Sequence, residues 1–158
     1  MWPDRRLTEP AAPVGVINND VRAIWDEMIE VMDAMPGYGL AAPQIGVPLR
    51  LAVVDCSEER GQAIRLANPE ITEASEATSQ WDEASPNLPL VSAKVSRPAT
   101  VTVEFTDAEG KRVTRDFEGL WATSVQHQID HLNGRMYFDR LSKMKREMLL
   151  KKARKIKR

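Results

Sequence analysis

The segment TVTVEFTDAEGKRVTRDFEG, residues 100–119, constrains the fold more than any other stretch. Val101, Val103 and Phe105 alternate with polar residues, a turn is signalled near Glu109 and Gly110, and Val113 to Phe117 returns. Period-two alternation buries one face of each strand, so the segment predicts a hairpin in an antiparallel sheet rather than βαβ winding. Leu120 to Leu132 then reads as a central helix ended by Asn133-Gly134, and Leu141 onward as a terminal helix. Upstream, Val21, Ile24, Trp25, Met28, Met32 and Met35 keep helical spacing, with Asn18 or Asn19 as cap and Pro36-Gly37 as stop. LRLAVVD at 49–55 reads as a short apolar strand, and IRLANPEIT as another, broken at Pro69. The expected class is α+β, with antiparallel strands packed around the central helix that carries HQIDH.

At 158 residues and 42% hydrophobic content, the chain is long enough for one domain over 1–158. No apolar run approaches membrane-spanning length, and MWPDRRLTEP has acids and prolines where a signal peptide has its apolar stretch. A soluble, cytoplasmic protein with neither membrane nor DNA as partner is expected. The single cysteine, Cys56, excludes an internal disulfide and any CxxC metal pair. Net charge is −1, but residues 143–158 carry nine Lys/Arg against Glu147 alone, about +8, leaving about −9 elsewhere. Such a basic terminal helix can contact a polyanion such as RNA, or rest on the body through Met144, Met148 and Leu149.

Chemistry concentrates in VQHQIDHLNG, residues 125–134. On a helix, His127 and His131 share one face and can reach a single metal ion. The hydrolytic H-E-x-x-H motif places a proton-shuttling glutamate after the first histidine, and here that position is Gln128. A neutral amide can orient a water but cannot accept and release a proton at pH 7. A second segment, GYGLAAPQIG at 37–46, describes backbone that turns tightly or approaches something closely.

Together, GYGLAAPQ and QHQIDH closely resemble the peptide deformylase family, whose motifs are GxGLAAxQ, EGCLS and QHExDH. PDRRL near the start and LNGRMYFDRLS after the histidines extend the likeness over nearly the whole chain. The resemblance implies removal of N-formyl groups from nascent proteins. It also implies ferrous iron, replaceable by zinc or nickel, held by the second-motif cysteine and both third-motif histidines. On that alignment EASPNLP, residues 83–89, occupies the place of EGCLSxP. Ser85 then stands where the family has its ligand cysteine, and Pro86 where it has the leucine whose N–H polarises the formyl oxygen with Gln44. Asn87 replaces the motif's serine. The implied substrate-binding residues are Gly39, Leu40, Tyr38, Trp81, Leu120, Thr123 and Ser124.

These replacements weigh on metal, oxyanion and base at once. A thiolate is anionic and soft, whereas a serine hydroxyl is neutral and rarely a ligand. Proline has no N–H, and one lost oxyanion donor costs about a hundred- to a thousand-fold in rate. General acid–base help is worth roughly another hundred- to ten-thousand-fold. The leading expectation is therefore a deformylase-like protein with little or no activity and no metal, or a weakly held divalent one. An active metal-dependent deformylase with an altered shell, completed by Ser85 or Asp82, is the alternative. A Ser85/His127 nucleophilic pair oriented by Asp130 is a third reading, and a non-catalytic peptide- or ribosome-binding protein belongs to another class.

Overall fold

The structure, a computed structural model, describes residues 1–156; Lys157 and Arg158 of the basic end lie outside the described residues. Capping side chains start two helices: Asp4 accepts from the Arg6 N–H and Asn18 from the Val21 N–H, each satisfying a backbone donor of the first turn. In chain order the elements are α1 (Arg5–Thr8), α2 (Asn19–Ala34), β1 (Gly39–Ala41), β2 (Leu51–Val54), β3 (Ile64–Ala74), β4 (Thr78–Ser85), β5 (Leu88–Pro98), β6 (Thr100–Thr106), β7 (Arg112–Glu118), α3 (Gly119–Leu132) and α4 (Lys143–Ile156). Short 3-10 turns span Ala42–Ile45 and Tyr137–Arg140.

The expected hairpin is β6–β7, with Val101 opposite Phe117 and Phe105 opposite Val113. It forms one side of a five-stranded sheet ordered β1-β2-β3-β6-β7, and β4 and β5 make a separate hairpin. Every strand pairing is antiparallel, as the α+β expectation requires. The break expected at Pro69 is instead a bulge: pairing with β6 shifts between Ala67 and Glu70, Asn68 takes a φ of 49°, and β3 runs on to Ala74. A bulge absorbs proline's missing N–H without ending the strand.

All four residues of β2 are buried because the sheet is covered on both faces. Leu51 and Val53 join Trp25, Met28 and Met32 of α2, whereas Ala52 and Val54 face Ala122, Val125, Ile129 and Leu132 of α3. Every residue of α3 from Ala122 to Leu132 is buried, so this helix runs through the interior and its polar side chains must find partners there. A third cluster joins Leu88, Val91 and Val95 of β5 to Phe138 and to Leu149, Leu150 and Ala153 of α4. Leu149 rests on the body as expected, but Met144 and Met148 do not; they stand 71% and 65% exposed on the opposite face of α4. Among the described residues no helix is long and apolar enough to cross a membrane.

Candidate active site

Positions 120, 123, 124, 127 and 128 form one stripe of α3 at helical spacing. That stripe, with Leu120, Thr123, Ser124, His127 and Gln128, is one wall of a cleft of about 510 Å³. Tyr38 and Gly39 from the start of β1, Gln44 from the adjacent 3-10 turn, and Ser85 and Pro86 from the β4–β5 turn complete it.

The histidines are held by a buried chain of charges. Nδ1 of His127 lies 2.7 Å from Oε1 of Glu83. Arg97, fully buried, grips both Glu83 oxygens at 2.7 and 2.9 Å and reaches Asp130 at 2.8 Å. Arg140 closes the chain on Asp130 at 2.7 and 2.9 Å. Burial alone would raise the Glu83 pKa, but the hydrogen bonds from His127 and Arg97 outweigh it and hold the carboxyl below its usual range. Asp130 is lowered likewise, burial being outweighed by Arg140 and Arg97. An ionised carboxylate only accepts, so Nδ1–H of His127 donates to Glu83 and fixes the ring's tautomer. In the neutral ring Nε2 then accepts from Nε2–H of His131, 3.1 Å away. Burial first, and then neighbouring His127 and Arg97, push the His131 pKa well down against the opposing pull of Asp130. Of the two roles the sequence leaves open for Asp130, orienting a histidine or joining the fold's hydrogen-bonding network, it takes the second, pairing with two arginines, and Glu83 orients His127. A Ser85/His127/Asp130 relay fails for the same reason, and the Ser85 hydroxyl donates to Asn87 at 3.2 Å.

Pro86 and Asn87 are the two turn residues of the β4–β5 hairpin, between paired Ser85 and Leu88. Proline presets φ at the first turn position. It brings a ring without an N–H to the cleft wall. Asn87 Oδ1 accepts from Gln44 Nε2 at 2.7 Å, while Gln44 Oε1 accepts from the Ala41 N–H at 2.9 Å. One N–H of the Gln44 amide thus remains for a ligand. Gln128 lies against Gly39: a Cβ there would come within 2.6 Å of Gln128 Nε2 and 2.7 Å of Ser124 Oγ, so glycine lets strand and helix meet. Oε1 of Gln128 and Oγ1 of Thr123 are buried without a hydrogen-bond partner.

The 3.1 Å between the histidine Nε2 atoms is close to the roughly 3.3–3.4 Å expected for two nitrogens on one tetrahedral ion. The third position does not fit. Ser85 is a neutral hydroxyl already donating to Asn87, and among the described residues no group of three or more His, Cys, Asp or Glu could hold a metal ion. Cys56 supplies no thiolate; burial pushes its pKa up to about 12.

Of the residues expected in the site, Gln128, Gln44, Pro86, His127, Ser85, Gly39, Tyr38, Leu120, Thr123 and Ser124 all line this cleft. His131 is 1% exposed and stands behind His127, one helical turn on. Leu40 and Trp81 are corrections. Side chains alternate along β1, so Leu40 points away from Gly39 into the core shared with α2. Trp81 is four residues, roughly 13 Å, up β4 from Ser85, and remains 39% exposed outside the cleft. Arg140 and Tyr137, whose ring stacks on His127 at 6.0 Å, were not expected in the site. Arg97 left a visible signal: it continues the inward series Val91, Ala93, Val95 as a lone cation.

The family model for polypeptide deformylase matches residues 1–147, ending inside α4. The chain belongs to the polypeptide deformylase family. A peptide deformylase of Rhizobium meliloti is 44% identical over 152 residues, 95% of this chain and 87% of that protein. One of Afipia carboxidovorans is also 44% identical, over 95% of this chain and 89% of its own length. Among solved structures, the Legionella pneumophila peptide deformylase superposes with a TM-score of 0.91 at 38% identity, covering 99% of this chain and 92% of that one. That of Ehrlichia chaffeensis in complex with actinonin gives 0.91 at 32% identity, covering 100% and 95%. The chain is thus a peptide deformylase homologue, of a hydrolase family, and the α+β arrangement with a C-terminal helix is the family fold.

Proposed function

We propose that this chain keeps the deformylase cleft as a site for peptide N-termini and hydrolyses the N-formyl bond far more slowly than a motif-complete relative. The observation that carries this reading is Gln128, buried at the cleft where the family has its proton-shuttling carboxylate. The carboxylates that line the cleft are Asp82 and Glu83, and Glu83 is committed to Arg97 and His127. Asp82 lies on the exposed face of β4, opposite Glu83, so we assign neither carboxylate a step in which the chain takes a proton from water and delivers it to the leaving amine. What the residues can do is hold a peptide: the free N–H of Gln44 meets a carbonyl oxygen, Gln128 Oε1 accepts an N–H, and water is displaced from the α3 wall.

A second reading, an active metal-dependent deformylase with an altered shell, is favoured by the relatives. Proteins named peptide deformylase at 44% identity fit an active enzyme better than an inactive one. The converging imidazole nitrogens also support a weakly bound divalent metal. Formate release from a formyl-methionyl tripeptide, run anaerobically with ferrous, nickel or zinc ion, separates the two. The first reading expects release near background in the unaltered protein, and a rise of at least about a hundred-fold in the triple reversion Ser85→Cys, Pro86→Leu, Gln128→Glu. Robust release that chelator and His127→Ala abolish would establish the second.

The exposed basic face of α4 supports a contact with the ribosome as part of this proposal. Salt-sensitive co-sedimentation with ribosomes, lost on truncation after Ser142, is the expected result. Unchanged binding after truncation removes the helix from the account.

A further inference from the structure

Gln44, the amide donor of the cleft, is held in place from a distant part of the chain. Its side chain is fixed at both ends: Oε1 accepts from the Ala41 N–H at 2.9 Å and Nε2 donates to Asn87 Oδ1 at 2.7 Å. Asn87 is buried and collects further bonds. Its Oδ1 also accepts from the Ser85 hydroxyl at 3.2 Å, its N–H donates back to Ser85 Oγ at 3.3 Å, and its carbonyl accepts from the Trp2 N–H at 2.8 Å. Of these bonds, the one from Trp2 comes from neither the turn nor the cleft. The Trp2 ring is itself seated: it stands edge to face with Phe138, centroids 5.1 Å apart and planes at 82°, beside the cluster that holds Leu88 and Val91. Neither Trp2 nor Phe138 lines the cleft.

Resting on the reading that the cleft takes peptide N-termini, we infer that Trp2 is a positioning residue: seated on Phe138, it holds the Asn87 carbonyl and through Asn87 Oδ1 aims the remaining Gln44 N–H at the ligand. The coupling is short, because carbonyl and Oδ1 belong to one residue and a shift of its backbone carries both. A hydrogen bond weakens steeply as its alignment is lost, and a Gln44 amide released from Asn87 turns in the broad well of its last torsion. Such an amide still reaches a peptide carbonyl, but it must give up that freedom on binding, which lowers affinity.

The test compares Trp2→Ala, which keeps the N–H and removes the ring, with Trp2→Phe, which keeps an aromatic against Phe138. The Gln44 side-chain amide signals in a nitrogen–proton correlation spectrum, identified by their loss in Gln44→Ala, report its hydrogen bond without any ligand. We expect Trp2→Ala to move them toward those of a free amide and Trp2→Phe to leave them near their original place. Calorimetric titration with a formyl-methionyl tripeptide, run with chelator to prevent turnover and where every variant is folded, should show affinity lowered roughly two- to ten-fold by Trp2→Ala and recovered by Trp2→Phe. In a chain that already carries Gln44→Ala, Trp2→Ala should change affinity no further. Amide signals that Trp2→Ala leaves in place, or an affinity loss of the same size in the Gln44→Ala chain, overturn the inference. Displaced amide signals in a protein that binds no peptide uphold the tie from Trp2 to Gln44 and overturn the peptide-cleft reading instead. Should the alanine variant fail to fold, Trp2→Leu, which keeps apolar bulk but loses the ring pair, takes its place with the same outcomes.

Discussion

The two walls of the cleft have opposite characters. The α3 wall is tied into the interior by the chain Arg140–Asp130–Arg97–Glu83–His127, every link between 2.7 and 2.9 Å. The β4–β5 turn, with Ser85 and Asn87 buried, is held by neutral hydrogen bonds: Asn87 Oδ1 accepts from Gln44 across the cleft, and the Asn87 carbonyl accepts from the Trp2 N–H. Changing a residue in the buried chain strands a charge, whereas changing a turn residue disturbs one or two hydrogen bonds. Ser85, Pro86 and Asn87 fall in this turn, where no buried charge is at stake. The histidines persist on the wall where His127 is one end of a charge network that the fold needs.

That contrast breaks first at Arg97. Arg97→Met leaves Glu83 and Asp130 without their central cation and should cost about 3–5 kcal/mol, read from urea denaturation. A cost under about 1 kcal/mol would show that the walls do not differ in this way. The pH dependence sharpens the point. In the native protein the depressed Glu83 and Asp130 pKa values contribute stability that is fully present above the ordinary carboxylate range near about 4 and is lost as pH falls through the lower folded values. Without Arg97 the buried Glu83 carboxyl is pushed upward instead, so mild acid relieves the variant. The stability gap between the two proteins should therefore narrow between pH 7 and pH 4, and a gap that widens would contradict the assignment.

A smaller effect is expected where strand and helix touch. Gly39→Ala drives a methyl toward Gln128 and Ser124, an overpacking cost of about 1–3 kcal/mol, and Gln128→Ala in the same chain should recover the Gln128 part of it while the Ser124 contact remains. Independent, additive effects in that double-mutant cycle would place Gln128 elsewhere. Smallest of all is the turn itself. Pro86→Leu should cost only about 0.4–1 kcal/mol, mainly by loosening the unfolded chain, while it returns an N–H to the cleft. A loss as large as that at Arg97 would erase the distinction between the walls.

Much of this was legible from local pattern. Asn18 caps α2 at the predicted place, and the β6–β7 alternation pairs Val101 with Phe117 as a period of two demands. The β4–β5 hairpin is not among the elements expected from the sequence, although Val91, Ala93 and Val95 alternate, because Pro86, Pro89 and Pro98 interrupt the strand pattern. Pro69 misled because a proline reads as a stop until a bulge is seen to absorb it.

The sequence by itself determined the family, the two histidines on one helical face, the neutral amide Gln128 beside the first of them, and a single cysteine, Cys56. Those are properties of residue identity and short spacing, which the chain carries wherever it folds. Only the tertiary structure decided that Glu83, 44 positions from His127, orients its ring, that Asp130 serves arginines, and that Trp81 stays outside the cleft. These are matters of which buried polar groups find partners, and a partner brought in by another strand leaves no trace in local periodicity.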